Sequence, residues 1–238
     1  MVKIVAEIGL NHDGSLNKAI AMIHEAKKCG AHVAKFQYYL VDVLCLDRND
    51  FNSYDLLKKV CPRPQWMPML KDVCDSLNIE FACTAFCEFS VEAIAPYVKS
   101  FKIASPEVCN VAFVKDVASY GKPLVLSTGK AGFDTLDKFK GLENEITLLY
   151  CVSKYPANDE DYDIQNIREL KKRYPKWNIG LSDHTKGAYV IKEALKEDIS
   201  MVEKHFKIDD DCVDAAVSVA PCDFANISKI IKDWDAYR

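Results

Sequence analysis

The 238-residue sequence lacks the marks of several large protein classes. It contains only nine glycines and no Gly-x-Gly-x-x-Gly run, which excludes a dinucleotide-binding turn. No Gly-x-Ser-x-Gly elbow occurs, so none of its serines is singled out as a nucleophile. There is no cationic surplus: 31 Lys and Arg face 35 Asp and Glu, and the formal net charge is −4. The lysines are scattered, and "KKVCPRP" at Lys58–Pro64 is too short and mixed to form a basic patch. Phosphate-backbone recognition needs clustered cations, so no nucleic-acid partner is expected. No window approaches the roughly 18 uninterrupted apolar residues of a membrane span. The N-terminus has neither the apolar stretch nor the small-residue cleavage site of a signal peptide. Cysteine is plentiful at ten, yet no Cys-x-x-Cys pair occurs, and Cys83 and Cys87 have no matching second pair for zinc. Thiols spread through apolar segments suit a reducing compartment. The expectation is a soluble cytoplasmic protein with no membrane partner.

What is present is alternation. Short apolar runs rich in β-branched residues are followed by segments with helical spacing. Strands are expected at "KIVAEIG" (from Lys3), "HVAKFQ" (His32), "IEFACTAF" (Ile79), "SFKIAS" (Ser100), "PLVLSTG" (Pro123), "ITLLYCVS" (Ile146), "WNIGLSD" (Trp177) and "SMVEKHF" (Ser200). Eight helical segments lie between and after them, among them "SLNKAIAMIHEAKKCG" with Ser15 as N-cap and Gly30 as stop. Eight strands alternating with eight helices predict an α/β fold, a (β/α)8 TIM barrel forming a single domain over residues 1–238. The segment "YYLVDVLCLDRNDFNSYDLLKKVCP" is too long for a simple βα connection and reads as an active-site loop with a short helix.

Barrel active sites gather at the C-terminal ends of the strands. Those ends carry Glu7, Asn11 and His12; Lys35 and Gln37; Thr84; Lys102, Ser105 and Glu107. The later strands add Ser127 and Thr128; Ser153 and Tyr155; Ser182, Asp183 and His184; and Glu203, Lys204 and His205. Lys35 and Lys102 lie in otherwise apolar strands, where an unpaired ammonium is costly. Either each pairs with a neighbouring carboxylate, or the two hold a phosphate or carboxylate ligand together with Thr84, Ser105, Ser127 and Ser182. His184 and His205 end neighbouring strands and could share a divalent metal, with Glu203 or water completing the shell; hydrogen-bonded structural histidines are the plainer reading. His24, on a helix surface, and His32, at the opposite face, read as structural.

Seven motifs, "AEIGLNHDGSLNKA", "AKFQ", "FKIASPEVCN", "GKPLVLSTG", "YCVSKYP", "GLSDHT" and "EKHF", resemble in order those of the N-acetylneuraminate (sialic acid) and related nonulosonate synthases. The similarity runs from about Val2 to Phe224. It implies condensation of phosphoenolpyruvate with an N-acylated aminohexose, assisted by manganese or magnesium. It implies that Lys35, Thr84, Lys102, Ser105, Ser127, Ser153 and Ser182 line the phosphoenolpyruvate site. His184 and His205 would bind the metal, Gln37, Tyr155 and Asp214 would touch the sugar, and Glu7 and Glu107 would manage water and protons. The lysines would act in catalysis as well as binding. Departures fall mostly on the sugar side: Ala215 stands where many members have histidine, Pro106 precedes Glu107, and Cys83–Cys87 reads "CTAFC". The family's C-terminal antifreeze-like domain, which brings an arginine to the partner's sugar pocket, is not expected here; the partners to expect are a homo-oligomer or a separate antifreeze-like chain, and the latter could supply that domain.

Two other readings stand beside this one. A 3-deoxy-octulosonate phosphate-type synthase or metal aldolase would need a second basic cluster, for which Arg48 and Arg63 are the nearest candidates. An inactive binding barrel would have little reason to keep both lysines, both histidines and Glu107.

Overall fold

Eight short strands pair in parallel in chain order, and the last returns to the first. They are β1 (Lys3–Gly9), β2 (Val33–Tyr38), β3 (Glu80–Ala85), β4 (Phe101–Ile103), β5 (Leu124–Ser127), β6 (Ile146–Cys151), β7 (Asn178–Asp183) and β8 (Met201–His205). Together they close a β1–β8 barrel, the expected fold. The computed structural model describes residues 1–48 and 52–238, the side chains of Asp47 and Arg48 excepted.

The helices are α1 (Leu16–Lys28), α2 (Val41–Arg48), α3 (Tyr54–Val60), α4 (Trp66–Ser76), α5 (Glu88–Ile94), α6 (Ser105–Val108), α7 (Val111–Ala118), α8 (Phe133–Leu136), α9 (Gln165–Arg173), α10 (Tyr189–Leu195) and α11 (Pro221–Tyr237). α1 shows how sequence becomes structure. Ser15 caps it by accepting from the Lys18 amide, and Ala19, Met22, Ile23 and Ala26 form its buried stripe. Three of the described helices, α2, α3 and α6, go beyond the eight expected. The long segment after β2 carries two helices rather than one, docked on a separate apolar cluster of Leu10, Tyr39, Leu44 and Val60 at the barrel mouth. No described helix is long and apolar enough to cross a membrane, and no disulfide joins the cysteines among the described residues.

Strand alternation divides the interior in two. Outward residues such as Ile4, Ala34, Phe81, Leu126, Leu148 and Leu181 pack with the helices in the main core. Inward, Val5, Val33 and Ala82 form a small plug. One step further along the same inward faces come Glu7, Lys35 and Thr84, so the apolar plug is the floor beneath a polar layer.

Candidate active site

That polar layer opens into a cavity of about 390 Å³ at the C-terminal end of the barrel. At its base four charged side chains alternate in sign, none more than 6% exposed. Lys35 Nζ lies 2.7 Å from Glu7 Oε2 and 3.5 Å from Glu203 Oε2, and donates to Thr84 Oγ1 at 3.1 Å. Lys102 Nζ donates to Ser127 Oγ at 2.7 Å and stands 3.9 Å from Glu203 Oε1. Strand register explains the meeting: Glu7 lies level with Lys35 on one side and with His205 on the other. The reading of the lysines as paired with neighbouring carboxylates therefore holds, and both also line the cavity.

The two acids differ in character. Burial tends to raise Glu203, but Lys102 and Lys35 outweigh it and pull the carboxyl down to about 2. In Glu7 burial prevails over the pull of Lys35, so its carboxyl holds a proton more readily than an ordinary glutamate. Gln37 Nε2 donates to Glu7 Oε1 at 2.7 Å and fixes its orientation. Burial would lower Lys35, yet the carboxylates of Glu203 and Glu7 hold it above its usual range. In Lys102 burial wins and the pKa falls.

Hydroxyls ring one side of the cavity. Ser105, Ser127, Ser153 and Ser182 line it with Thr84, and Ser153 Oγ lies 3.5 Å from Ser105 Oγ. Gly129 passes directly over this pair. A Cβ there would stand 2.5 Å from Ser153 Oγ, 2.8 Å from Cys151 Sγ and 2.9 Å from Ser105 Oγ, so only glycine lets the backbone approach the hydroxyls.

The two imidazoles meet on the other side, with ring centroids 5.5 Å apart. His184 Nδ1 donates to the Val152 carbonyl at 2.7 Å, which leaves the Nε2 lone pair directed elsewhere. Burial lowers both pKa values, so both rings are neutral near pH 7. His205 Nδ1 is buried without a hydrogen bond among the described residues and faces Asp214 Oδ2 at 3.9 Å. Two neutral imidazoles suit a divalent cation. Among the described residues no group of three His, Cys, Asp or Glu forms a closed shell, so any ion held here would share its other positions with water or substrate. Glu203, the suggested third ligand, accepts from Ser182 Oγ at 3.1 Å and sits with the lysines. Tyr155 packs on His184 with centroids 4.2 Å apart, 59% exposed at the mouth. Burial pushes the half-buried Asp214 carboxyl up to about 6.

A profile of the NeuB family matches residues 22–237. The chain belongs to the NeuB family. It is 31% identical to the N,N'-diacetyllegionaminic acid synthase of Legionella pneumophila, over 97% of this chain and 71% of that protein. It is 32% identical to the N-acetylneuraminate-9-phosphate synthase of Drosophila melanogaster, over 87% of this chain and 60% of that one. The N-acetylneuraminic acid synthetase of Leptospira borgpetersenii, solved with citrate, superposes with a TM-score of 0.93 at 30% identity, covering 99% of this chain and 84% of that one. A truncated 3-deoxy-D-arabino-heptulosonate 7-phosphate synthase from Thermotoga maritima, at 15% identity and TM-score 0.76, shares the fold.

Within this NeuB-family barrel, the residues expected to touch phosphoenolpyruvate, sugar or metal all line one cavity, whereas Glu107 and several other strand-end groups do not. Glu107 lines a neighbouring cavity of about 540 Å³, not the main one. The cause is α6: Ser105 and Glu107 lie on a helical turn rather than on β4, so two residues of advance turn the side chain to the far side of Pro106. Asp183 and Lys204 also leave the site. They face outward as an ion pair of 2.7 Å, and Lys204 donates to the Thr185 and Gly187 carbonyls, clasping the loop after β7. Asn11 organises the loop after β8, donating to Phe206 O and Ser218 Oγ and accepting from the Asp214 amide at 2.8 Å. His12 sits between Phe36 and Trp66 away from the cavity. His24 is exposed, and His32 Nδ1 accepts from the Ile4 amide, both structural as expected. Arg63 is exposed and lines neither cavity, and the Arg48 side chain lies outside the described residues. Sequence reasoning missed the apolar wall of Leu10, Tyr39, Leu44, Leu57 and Phe86, as well as Cys151 and Lys130. Tyr39, Leu44 and Leu57 come from the long segment, whose docking against Leu10 and Phe86 no periodicity reveals.

Proposed function

We propose that this chain condenses phosphoenolpyruvate with an N-acylated aminohexose to give a nonulosonic acid and phosphate. The observation that carries the proposal is one cavity holding two buried lysines and a row of hydroxyls beside a pair of neutral imidazoles. The NeuB-family relatives named as synthases of such acids support it. Lys35, Lys102, Thr84 and the serines hold the anionic substrate. Gln37, Tyr155 and Asp214 stand where the sugar would lie. His184 and His205 would hold a divalent ion, manganese or magnesium, which when bound supplies Lewis acidity toward a carbonyl oxygen.

C3 of the enol phosphate attacks the aldehyde carbon, water adds to the cationic C2, and the tetrahedral product expels phosphate. Lys35 and Lys102 stabilise negative charge on the substrate throughout. Glu7, with its raised pKa and its lysine and glutamine partners, is the carboxyl placed to exchange a proton with the reacting groups. The apolar wall of Leu10, Tyr39, Leu44 and Leu57 closes one side of the same cavity. The test is phosphate release from phosphoenolpyruvate with manganese and a panel of N-acylated hexosamines. Release with at least one sugar is expected. Silence across the panel, together with no binding of phosphoenolpyruvate, would sink the proposal.

A further inference from the structure

The acids of the main cavity are already engaged. Glu7 and Glu203 face Lys35 and Lys102, and Asp214 faces His205. The buried floor thus carries two cations against two carboxyl groups and offers little net positive charge to a multiply charged phosphate ester. A third lysine, Lys130, lines the same cavity from the loop after β5. Among the described residues no carboxylate lies within ion-pair distance of it. It is exposed, and a solvated surface lysine would be the plain reading.

Its root argues otherwise. The backbone from Thr128 to Ala131 is tied on several sides. Thr128 N donates to Leu149 O at 3.0 Å, Ala131 N to Thr128 O at 3.0 Å, and Cys109 Sγ to Lys130 O at 3.4 Å. Gly129 is pressed against Ser105 and Ser153. A long cationic arm therefore starts from a fixed point immediately beside the hydroxyl pair, with no carboxylate partner among the described residues. We infer that Lys130 is a further anion-binding residue: from the lip of the cavity its ammonium closes on the phosphoryl group that Ser105, Ser127, Ser153 and the deeper Lys102 hold from below. Lys102 is fixed by Ser127 and shares Glu203, whereas Lys130 brings uncompensated positive charge and can follow the phosphate outward as it leaves.

The identity of the phosphate ester rests on the proposed function; the phosphoryl contact does not. Calorimetric titration of inorganic phosphate and of phosphoenolpyruvate, each at low and high salt, into the full chain and its Lys130→Ala, Lys130→Arg and Lys130→Glu variants separates the two. Lys130→Ala is expected to weaken both ligands about tenfold, the lower end for a hydrogen bond to a charged group. It should also flatten their salt dependence. Lys130→Glu should weaken them further, and Lys130→Arg should stay near wild type. Unchanged melting temperatures would exclude unfolding as the cause. If the wild type binds phosphate but not phosphoenolpyruvate, and Lys130→Ala weakens phosphate, the Lys130 assignment stands and the synthase reading falls. Phosphate binding by Lys130→Ala equal to wild type in strength and salt slope overturns the assignment, as does a wild type that binds neither ligand.

Discussion

Replacing Gly129 by alanine adds a single carbon, and the structure specifies what that carbon meets. Its three nearest neighbours would be Ser153 Oγ at 2.5 Å, Cys151 Sγ at 2.8 Å and Ser105 Oγ at 2.9 Å, all well inside normal contact. The hydroxyls can yield by rotating about one bond, while the backbone beneath them is tied to Leu149 through Thr128. The strain left after rotation is an overpacking cost of about 1–3 kcal/mol. The functional cost is larger, because both serines turn away from the cavity. Each hydrogen bond to a charged group is worth about 1.5–3 kcal/mol, so losing two weakens an anion at least ~100-fold. Gly132, in the same loop, has nothing within 4 Å of its would-be Cβ, so Gly132→Ala is the matched control. Calorimetry with inorganic phosphate and phosphoenolpyruvate, alongside thermal melting, reads both costs. A folded Gly129→Ala protein that binds these anions as tightly as Gly132→Ala would refute the hydroxyl cradle.

Three other outcomes follow from named contacts. Lys204→Met strands the buried Asp183 carboxylate and should cost about 3–5 kcal/mol, a fall in melting temperature of order 10 °C; the Lys204→Met, Asp183→Leu double variant should recover much of it, and no recovery would show that the clasp matters for more than its charge. His184→Ala and His205→Ala should each weaken manganese binding by more than the roughly 10–100-fold that loss of a supporting hydrogen bond costs, and titration matching wild type for either would remove that residue from the metal site. Burial holds the His12 imidazole at about 4, against 6.5 when unfolded, so the unfolded chain takes up the proton first as pH falls. The stability involved, about 3 kcal/mol at 1.36 kcal/mol per unit, is present above pH 6.5 and lost progressively toward pH 4; the gap in melting temperature between wild type and His12→Gln should narrow over that window, and a constant gap would contradict the linkage.

The barrel was legible because each strand is a short β-branched run and each connection carries helical spacing, and all eight strands lie where that pattern put them. The charged floor was legible too, since lysines inside apolar strands draw attention by their cost. What escaped were features that depend on rotation or docking. In "EKH", alternation alone separates Glu203 and His205 from Lys204, a signal present in the sequence and open to use. Glu107 needed knowledge that the chain turns helical at Ser105. The wall of Leu44, Leu57 and Phe86 exists only because α2 and α3 fold back on Leu10 and Tyr39, a tertiary event without a local code.

The seam between β1 and β8 has a consequence for the chain during its synthesis. Glu7 and Lys35 leave the ribosome early, whereas Glu203 and both imidazoles arrive with the last two strands, and Asn11 finds Phe206 across 195 residues. An unfinished chain thus carries both lysines and most of the hydroxyls, with neither histidine and without the carboxylate the lysines share. Closure of the barrel and completion of the cavity become one late event, dominated by long-range contacts and correspondingly slow. Anion binding at this site would then report that synthesis and closure have both finished, and a bound anion would stabilise only molecules that have passed that point.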